Sequence, residues 1–245
     1  MIIMSYTLGL SMTYNQTKLL LHDAVGRHLP LDVRIIKMMV RRNQGSVNER
    51  TSNGQNVLHI TLKVKNVPAE IIKYLGNVIH IGAYQETDRN SLTPLHVACW
   101  HQKEKIVEYV LQKCIEATQI CDRNGKYPFH LACDWDECLA TPIMHSLLDS
   151  FKDALCSETN DKSLLLHYYV INNPTMNNEL FFLTRMIYQY QESLLKTNNQ
   201  CETPLAIACQ FCNDNVIRLL LIYGPDAVNY MDDDGNLPIH HLLQC

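Results

Sequence analysis

The amino-acid sequence predicts an all-α solenoid of about seven helix-turn-helix units, the last incomplete. Three observations carry this expectation. A short phrase, a large apolar residue followed by histidine, returns along the chain. Turn-forming residues precede its best copies, and an apolar stretch of helical length follows each copy but the last. The phrase stands at Leu21-His22, Leu58-His59, Leu95-His96, Phe129-His130, Leu166-His167, Leu205-Ala206 and Ile239-His240. Successive copies lie 37, 37, 34, 37, 39 and 34 residues apart, the size of one supersecondary unit repeated with small insertions.

The clearest copies run Asp88 to Cys99, Asp122 to Cys133 and Asp232 to Leu243. Asp followed by Gly125 or Gly235 suits a tight turn, because glycine accepts positive φ and aspartate can bond its own backbone. Thr93 and Thr203 are suitable N-caps for the helix that follows. Pro94, Pro128, Pro204 and Pro238 stand where a first-turn proline loses no hydrogen bond. Leu95, Ala98 and Cys99 then place one large and two small apolar groups on a common helix face, which lets a neighbouring helix approach.

A second apolar helix is expected in each unit at Leu31–Val40, Ala69–Val78, Glu104–Leu111, Ile143–Leu155, Glu179–Leu195 and Val216–Ile222. Pro30, Pro68 and Pro142 sit close before three of them, as at helix starts. One such unit cannot bury both its apolar faces, so successive units stack and share a core. The unit around residues 156–170 lacks the glycine and the proline and carries Tyr169 where alanine is the rule, so a shifted or wider unit is expected there.

The phrase D-x-x-G-x-T-P-L-H-x-A, seen best at residues 88–98, 122–132 and 232–242, resembles the signature of the ankyrin-repeat family. The resemblance runs from about residue 13 onward. It implies an N-terminal segment at 1–12 and a repeat domain at 13–245, with units starting near 13, 50, 88, 122, 159, 198 and 232.

Composition narrows the function classes. Of 245 residues, 47% are hydrophobic and 19% charged, the balance of a folded chain. The net charge of -4 argues against a general nucleic-acid binder. The charge is unevenly spread: residues 1–125 hold 15 basic and 10 acidic side chains, and residues 126–245 hold 6 and 15. A solenoid would therefore have a basic end and an acidic end. The ten cysteines read as reduced thiols of a cytosolic or nuclear protein, since no export signal or membrane-spanning stretch is evident.

Cys209 and Cys212 have C-x-x-C spacing, which can hold zinc or serve redox chemistry. Cys209, however, shares its repeat position with Cys99 and Cys133, which favours a small buried residue. His22, His59, His96, His130, His167 and His240 likewise share one slot, which the family uses to fasten neighbouring turns. No nucleotide-binding or zinc-hydrolase motif is present, so neither catalysis nor a cofactor is expected. Arg34, Lys37, Arg41 and Arg42 lie at helical spacing as a basic stripe, most simply a solvated helix face.

The resemblance implies a protein partner held by turn tips and the exposed end of each first helix. The matching tip residues are Arg89, Asn90 and Leu92; Arg123, Asn124 and Lys126; and Asp233, Asp234 and Asn236. At the first-helix ends come Trp100 and His101, Asp134 and Trp135, and Gln210 and Phe211, so both tryptophans of the chain fall there in adjacent repeats. A monomeric interaction scaffold is the expected function, with no nucleic-acid or membrane partner. The alternative is the targeting part of a larger enzyme, such as a kinase or ubiquitin ligase.

Overall fold

The computed structural model describes residues 21, 24–25, 32–64, 67–101, 104–133, 141–172, 180–211 and 214–243. Regular structure among them is helical. Leu21, Ala24 and Val25 are helical and precede α1 (Val33–Arg42). Pairs follow: α2 (Val57–Lys63) with α3 (Ala69–Val78), α4 (Pro94–His101) with α5 (Glu104–Lys113), and α6 (Pro128–Cys133) with α7 (Thr141–Ser150). Next come α8 (Leu165–Asn172) with α9 (Leu180–Gln189), α10 (Pro204–Gln210) with α11 (Asp214–Tyr223), and finally α12 (Pro238–Leu242). The expected segment 1–12 lies outside the described residues.

The even-numbered helices carry the repeated phrase and pack side by side in one row, α2 on α4, α4 on α6, α6 on α8, α8 on α10 and α10 on α12. The odd-numbered helices form a second row, with α1 against α3, α5 against α7 and α9 against α11. A continuous cluster of buried apolar side chains runs through both rows from Leu21 to Ala227, with Leu95 and Phe129 both in it. This is the stacked file that the repeat predicts.

Each odd-numbered helix is ten residues long. After five of them a single residue, Asn43, Cys114, Phe151, Tyr190 or Gly224, takes φ between -156° and -141° and turns the chain into a short 3-10 helix. Two expectations are thereby corrected: the helices read as Ile143–Leu155 and Glu179–Leu195 end at Ser150 and Gln189. Ala154, Leu155 and Leu194 in the following 3-10 turns remain buried, so the apolar run outlasts the helix.

Six turns begin at Thr51, Asp88, Asp122, Thr159, Asn198 and Asp232, each seven residues before the large apolar residue of the phrase. In every one the N–H of the fourth residue donates to the carbonyl of the first, at 2.8–3.1 Å. The Oδ1 atoms of Asp88, Asp122, Asn198 and Asp232 accept the N–H groups two and four residues on, at 2.7–3.1 Å. Thr51 Oγ1 accepts the Gln55 N–H at 3.1 Å, and Thr159 Oγ1 donates to the Ser163 carbonyl at 2.9 Å. The fourth residue has positive φ throughout. It is glycine at positions 54, 125 and 235, but Ser91, Lys162 and Cys201 hold φ of 61°, 59° and 56°. The unit at 159 thus keeps regular turn geometry without its glycine, and its Tyr169 is buried against Phe182 at 5.4 Å between ring centroids.

The turns are joined to one another. Arg89 N–H donates to the Asn53 carbonyl at 2.9 Å, Arg123 to Asn90 at 3.1 Å, Asn160 to Asn124 at 2.9 Å, Asn199 to Asp161 at 2.8 Å and Asp233 to Gln200 at 3.1 Å. A second set of bonds runs deeper. The N–H groups of Asn56, Thr93, Tyr127, Leu164 and Leu237 donate to Nδ1 of the histidine three residues on, at 3.0–3.3 Å. A neutral imidazole that accepts at Nδ1 carries its proton on Nε2. That Nε2–H then donates to the next unit, from His59 to the Leu92 carbonyl at 2.8 Å, His96 to Lys126 at 3.1 Å and His167 to Lys196 at 3.2 Å. His130 keeps the inner bond, but its Nε2 finds no acceptor in hydrogen-bond geometry.

Burial holds these rings neutral. It depresses His59 and His96 to about 4 and His130 to about 3, and it lowers His167 as well. Above about pH 6.5 the rings are neutral in both folded and unfolded chains, so their contribution is fully present there. Below that, the unfolded chain takes up protons that the native stack refuses.

Two predictions follow from the turns and the braces. Lys162→Gly should raise the stability read from urea unfolding, by up to about 1 kcal/mol net of the added unfolded-state entropy. Gly125→Ala should lower it by about 1 kcal/mol or more, since a Cβ there meets Thr159 and Asn160 atoms at 3.2 Å. Equal losses from both substitutions would refute the account of the turns. Stability should also fall from pH 6.5 to pH 4, by up to about 1.4 kcal/mol per pH unit for each braced histidine. His96→Gln should be less stable at pH 7.5 yet lose about one proton's worth of that slope, as urea midpoints at pH 7.5 and 5 would show.

Candidate interaction surface

The ladder of turn-to-turn hydrogen bonds brings the tips into one ridge. From the third unit to the seventh, the second and third tip residues read Arg89-Asn90, Arg123-Asn124, Asn160-Asp161, Asn199-Gln200 and Asp233-Asp234, and all are exposed. The backbone ladder aligns them, and Asn160 and Asn199 also donate their side-chain amides to carbonyls of the preceding turn, at 2.9 and 3.3 Å. The ridge therefore runs from cationic to anionic along its length, and the charge imbalance between the halves of the chain becomes a direction in space.

The expected tip residues divide into three kinds. Arg89, Asn90, Arg123, Asn124, Asp233 and Asp234 are exposed. Lys126 and Asn236 are half-buried and engaged locally: Lys126 Nζ lies 4.4 Å from the centroid of the Tyr168 ring, and Asn236 Nδ2 donates to Asp232 Oδ2 at 3.3 Å. Leu92 is a correction. Its side chain is 7% exposed and belongs to the core, while its carbonyl receives the His59 brace. At this turn the fifth residue packs into the stack, whereas Lys126 and Asn236 at the same position stay half-exposed.

At the first-helix ends, Trp100 and Phe211 are exposed and Trp100 stacks on His101, with 5.6 Å between centroids and 5° between planes. Gln210 is exposed and donates to Glu202 Oε1 at 2.6 Å. Asp134 and Trp135 lie outside the described residues, so the structure brings together Trp100 and His101 but does not place the second tryptophan.

Sequence reasoning missed several residues of this surface. Asn160, Asp161, Asn199 and Gln200 belong to the ridge, in turns whose missing glycines hid them. Counting back seven residues from each Leu-His or Leu-Ala copy locates them. Tyr168 was missed too: buried on the inner row, its hydroxyl donates to Asp161 at 3.1 Å while its face receives Lys126. It thereby couples the tip of the fourth unit to that of the fifth. Burial alone would raise the Asp161 carboxyl, but the Thr159, Tyr168 and Ser163 hydroxyls outweigh it and keep the group below the usual carboxylate range. Asp88 is held low in the same way, against burial, by the Asn90 N–H, the Gln55 amide and the Leu92 N–H.

The possible metal or redox pair divides likewise. Cys209 is buried, and burial pushes its thiol up to about 11, the opposite of a reactive or ligating thiolate. Cys212 lies outside the described residues. Among the described residues no three His, Cys, Asp or Glu side chains converge in a way that could hold a metal ion. No described helix is long and apolar enough to cross a membrane. The basic stripe on α1 is solvated as expected, with Arg34 paired to Asp32 at 2.9 Å and Lys37 Nζ 5.5 Å from the Tyr74 ring centroid.

Comparison with known proteins agrees with this architecture. Residues 21–120 match the family description "Ankyrin repeats (3 copies)". The chain is 26% identical over 181 residues to the ankyrin repeat and ELMO domain-containing protein D of Dictyostelium discoideum, a match covering 70% of this chain and 12% of that protein. Among solved structures, the ankyrin repeat domain of Bcl-3, described as a unique member of the IkappaB protein family, superposes with a TM-score of 0.62 at 16% identity, over 90% of this chain and 92% of that one. A chain from the complex of the predatory endopeptidase Bd0816 with the immunity protein Bd3460, from Bdellovibrio bacteriovorus, gives a TM-score of 0.62 at 17% identity, over 82% and 95% of the two chains. The turn ladder and the ten-residue second helices continue past residue 120 in the same register, so the chain has the ankyrin-repeat fold beyond the stretch that matches the family.

Proposed function

We propose that this chain is a non-catalytic scaffold that holds a protein partner along its turn tips and the neighbouring first-helix ends. Ankyrin repeats generally mediate protein–protein interaction, and the observation that carries the finer reading is the charge order of the ridge. Arg89 and Arg123 stand toward one end, and Asp233 and Asp234 at the other. An extended segment of opposite polarity, acidic where it meets the third and fourth units and basic at the seventh, is complementary to it. Such complementarity sets orientation and encounter rate more than affinity. Affinity would come from exposed aromatic groups, here Trp100 and Phe211 at the first-helix ends. The cytosol or nucleus is the compartment this reading assigns, and no cofactor enters it.

A second reading has one observation in its favour. The Dictyostelium relative is named for an ELMO domain beside its ankyrin repeats, and this chain spans 12% of its length. Under that reading the array is the targeting region of a longer protein, for instance an enzyme, and sequencing the complete transcript decides between them.

The test is a titration of the partner isolated by affinity capture with the wild-type chain. Trp100→Ala should weaken binding by about tenfold or more, since truncating a central aromatic anchor costs about 2 kcal/mol. Arg89→Glu with Arg123→Glu should slow association and flatten its salt dependence. Lys152→Glu, in a 3-10 turn beyond the ridge, should change neither. Unaltered binding by the folded Trp100 and arginine variants would remove this surface.

A further inference from the structure

The ladder sets the distance between successive tips. In each step the carbonyl of a third tip residue accepts the N–H of the second tip residue in the next turn, pairing Asn90 with Arg123, Asn124 with Asn160, Asp161 with Asn199 and Gln200 with Asp233. One residue of chain covers about 3.8 Å and a hydrogen-bonded backbone pair about 5.5 Å, so equivalent tip residues lie about 9 Å apart. Helices packed side by side, as the first row is, stand about 8–10 Å apart. Tips and helices share one pitch.

Charge marks a column along that pitch. The second tip residues are Arg89, Arg123, Asn160, Asn199 and Asp233, all exposed. Other charged groups of these turns leave the order intact. Asp88, Asp122 and Asp232 are turned onto N–H groups of their own turns, and Glu202 is bonded to Asn198 and Gln210. Lys126 adds to the cationic end, Asp161 and Lys162 offset each other in the fifth unit, and Asp234 reinforces Asp233. From the third unit to the seventh the tips therefore read positive, positive, neutral, neutral, negative.

A segment lying along this column must return a side chain to one face about every 9 Å. A β-strand does so every second residue, at about 6.7 Å. An α-helix does so after one turn, at about 5.4 Å, and seven residues fall about 20° off two full turns, so four such steps carry the facing position about 80° round the helix. Polyproline II has three residues per turn and rises about 3.1 Å per residue, which returns every third side chain to one face at about 9.3 Å. We infer that the segment held by the ridge is a proline-rich polyproline-II stretch with a side chain at every third position facing a tip: acidic against Arg89 and Arg123, uncharged against Asn160 and Asn199, and basic against Asp233. This rests on the partner surface proposed above and assigns the backbone and spacing of what binds there. Prolines at the intervening positions preset that backbone and spare much of the ordering cost of a flexible chain.

Fluorescence anisotropy of the 245-residue chain tests it, with labelled synthetic peptides just long enough to reach from Arg89 to Asp233. The first peptide carries two glutamates, two serines and a lysine, in that order and three residues apart, with proline between them. It is made in both chain directions, because the ridge sets the order of charges and not which end is the N-terminus. Comparison peptides hold the same five residues two apart, or seven apart in a helix-forming alanine background, or three apart with glycine in place of proline. The period-three proline peptide, in one of its two directions, should bind at least about tenfold more tightly than every comparison peptide. Arg89→Glu with Arg123→Glu should remove that advantage, and exchanging the peptide's glutamates for lysines should restore it to the double variant. Equal binding by a re-spaced peptide would overturn the inference. So would binding by none of them, or an advantage that survives the double arginine variant. The captured partner's response to the Trp100 and arginine variants is read separately, so a failure of the peptides alone removes the spacing and leaves the partner surface.

Discussion

The structure depends on hydrogen bonds that each unit can complete only by using its neighbour. The Arg123 N–H has its acceptor in the preceding turn, at Asn90, and the His96 ring finds its acceptor in the following one, at Lys126. Burying the His96 ring N–H without its partner costs about 1–3 kcal/mol. The apolar faces between successive helix pairs behave in the same way, since one pair cannot hide both its sides. Polar and apolar terms therefore favour a single file, and the file fixes where every tip and helix end stands. The exposed turn residues owe their alignment to this backbone ladder, which the side-chain amides of Asn160 and Asn199 reinforce.

The interface between the fourth and fifth units departs from the pattern. His130 lacks its outer bond, and the coupling passes instead through Lys126 over Tyr168 and the Tyr168 hydroxyl on Asp161. The tip ladder persists there, with Asn160 N–H on Asn124 and Asn160 Nδ2 on the Arg123 carbonyl at 2.9 Å. This is also where the surface charge changes sign along the ridge. A repeat array is close to one-dimensional, so a local exchange of one bond for another leaves the register of distant units unchanged.

Much of this was legible in the sequence because the interactions that build a unit are local and periodic. The Leu-His spacing marks the first row, and the prolines before it mark helix starts that the structure reproduces at Pro94, Pro128, Pro204 and Pro238. Two things were less legible. The ends of α7 and α9 were overrun because buried Ala154, Leu155 and Leu194 continue the apolar pattern into a different backbone conformation. The turns at 159 and 198 were obscured because Lys162 and Cys201 accept a left-handed conformation that glycine would signal. At the candidate surface, the charged tips were readable from register, but Leu92 was not recognisable as core, because it directly adjoins a run of exposed residues.

Amide hydrogen exchange tests the single-file stack most directly. The N–H groups of Arg89, Arg123, Asn160, Asn199 and Asp233 sit at the tips of exposed turns, where an isolated turn exchanges at nearly free-peptide rates. In the stack each is bonded to the preceding turn, so all five should exchange at least about 100-fold more slowly than free peptide. The amide of Asn53, whose carbonyl rather than N–H serves the ladder, should be less protected. Free-peptide exchange at all five tips, in a chain whose helices remain protected, would contradict the account.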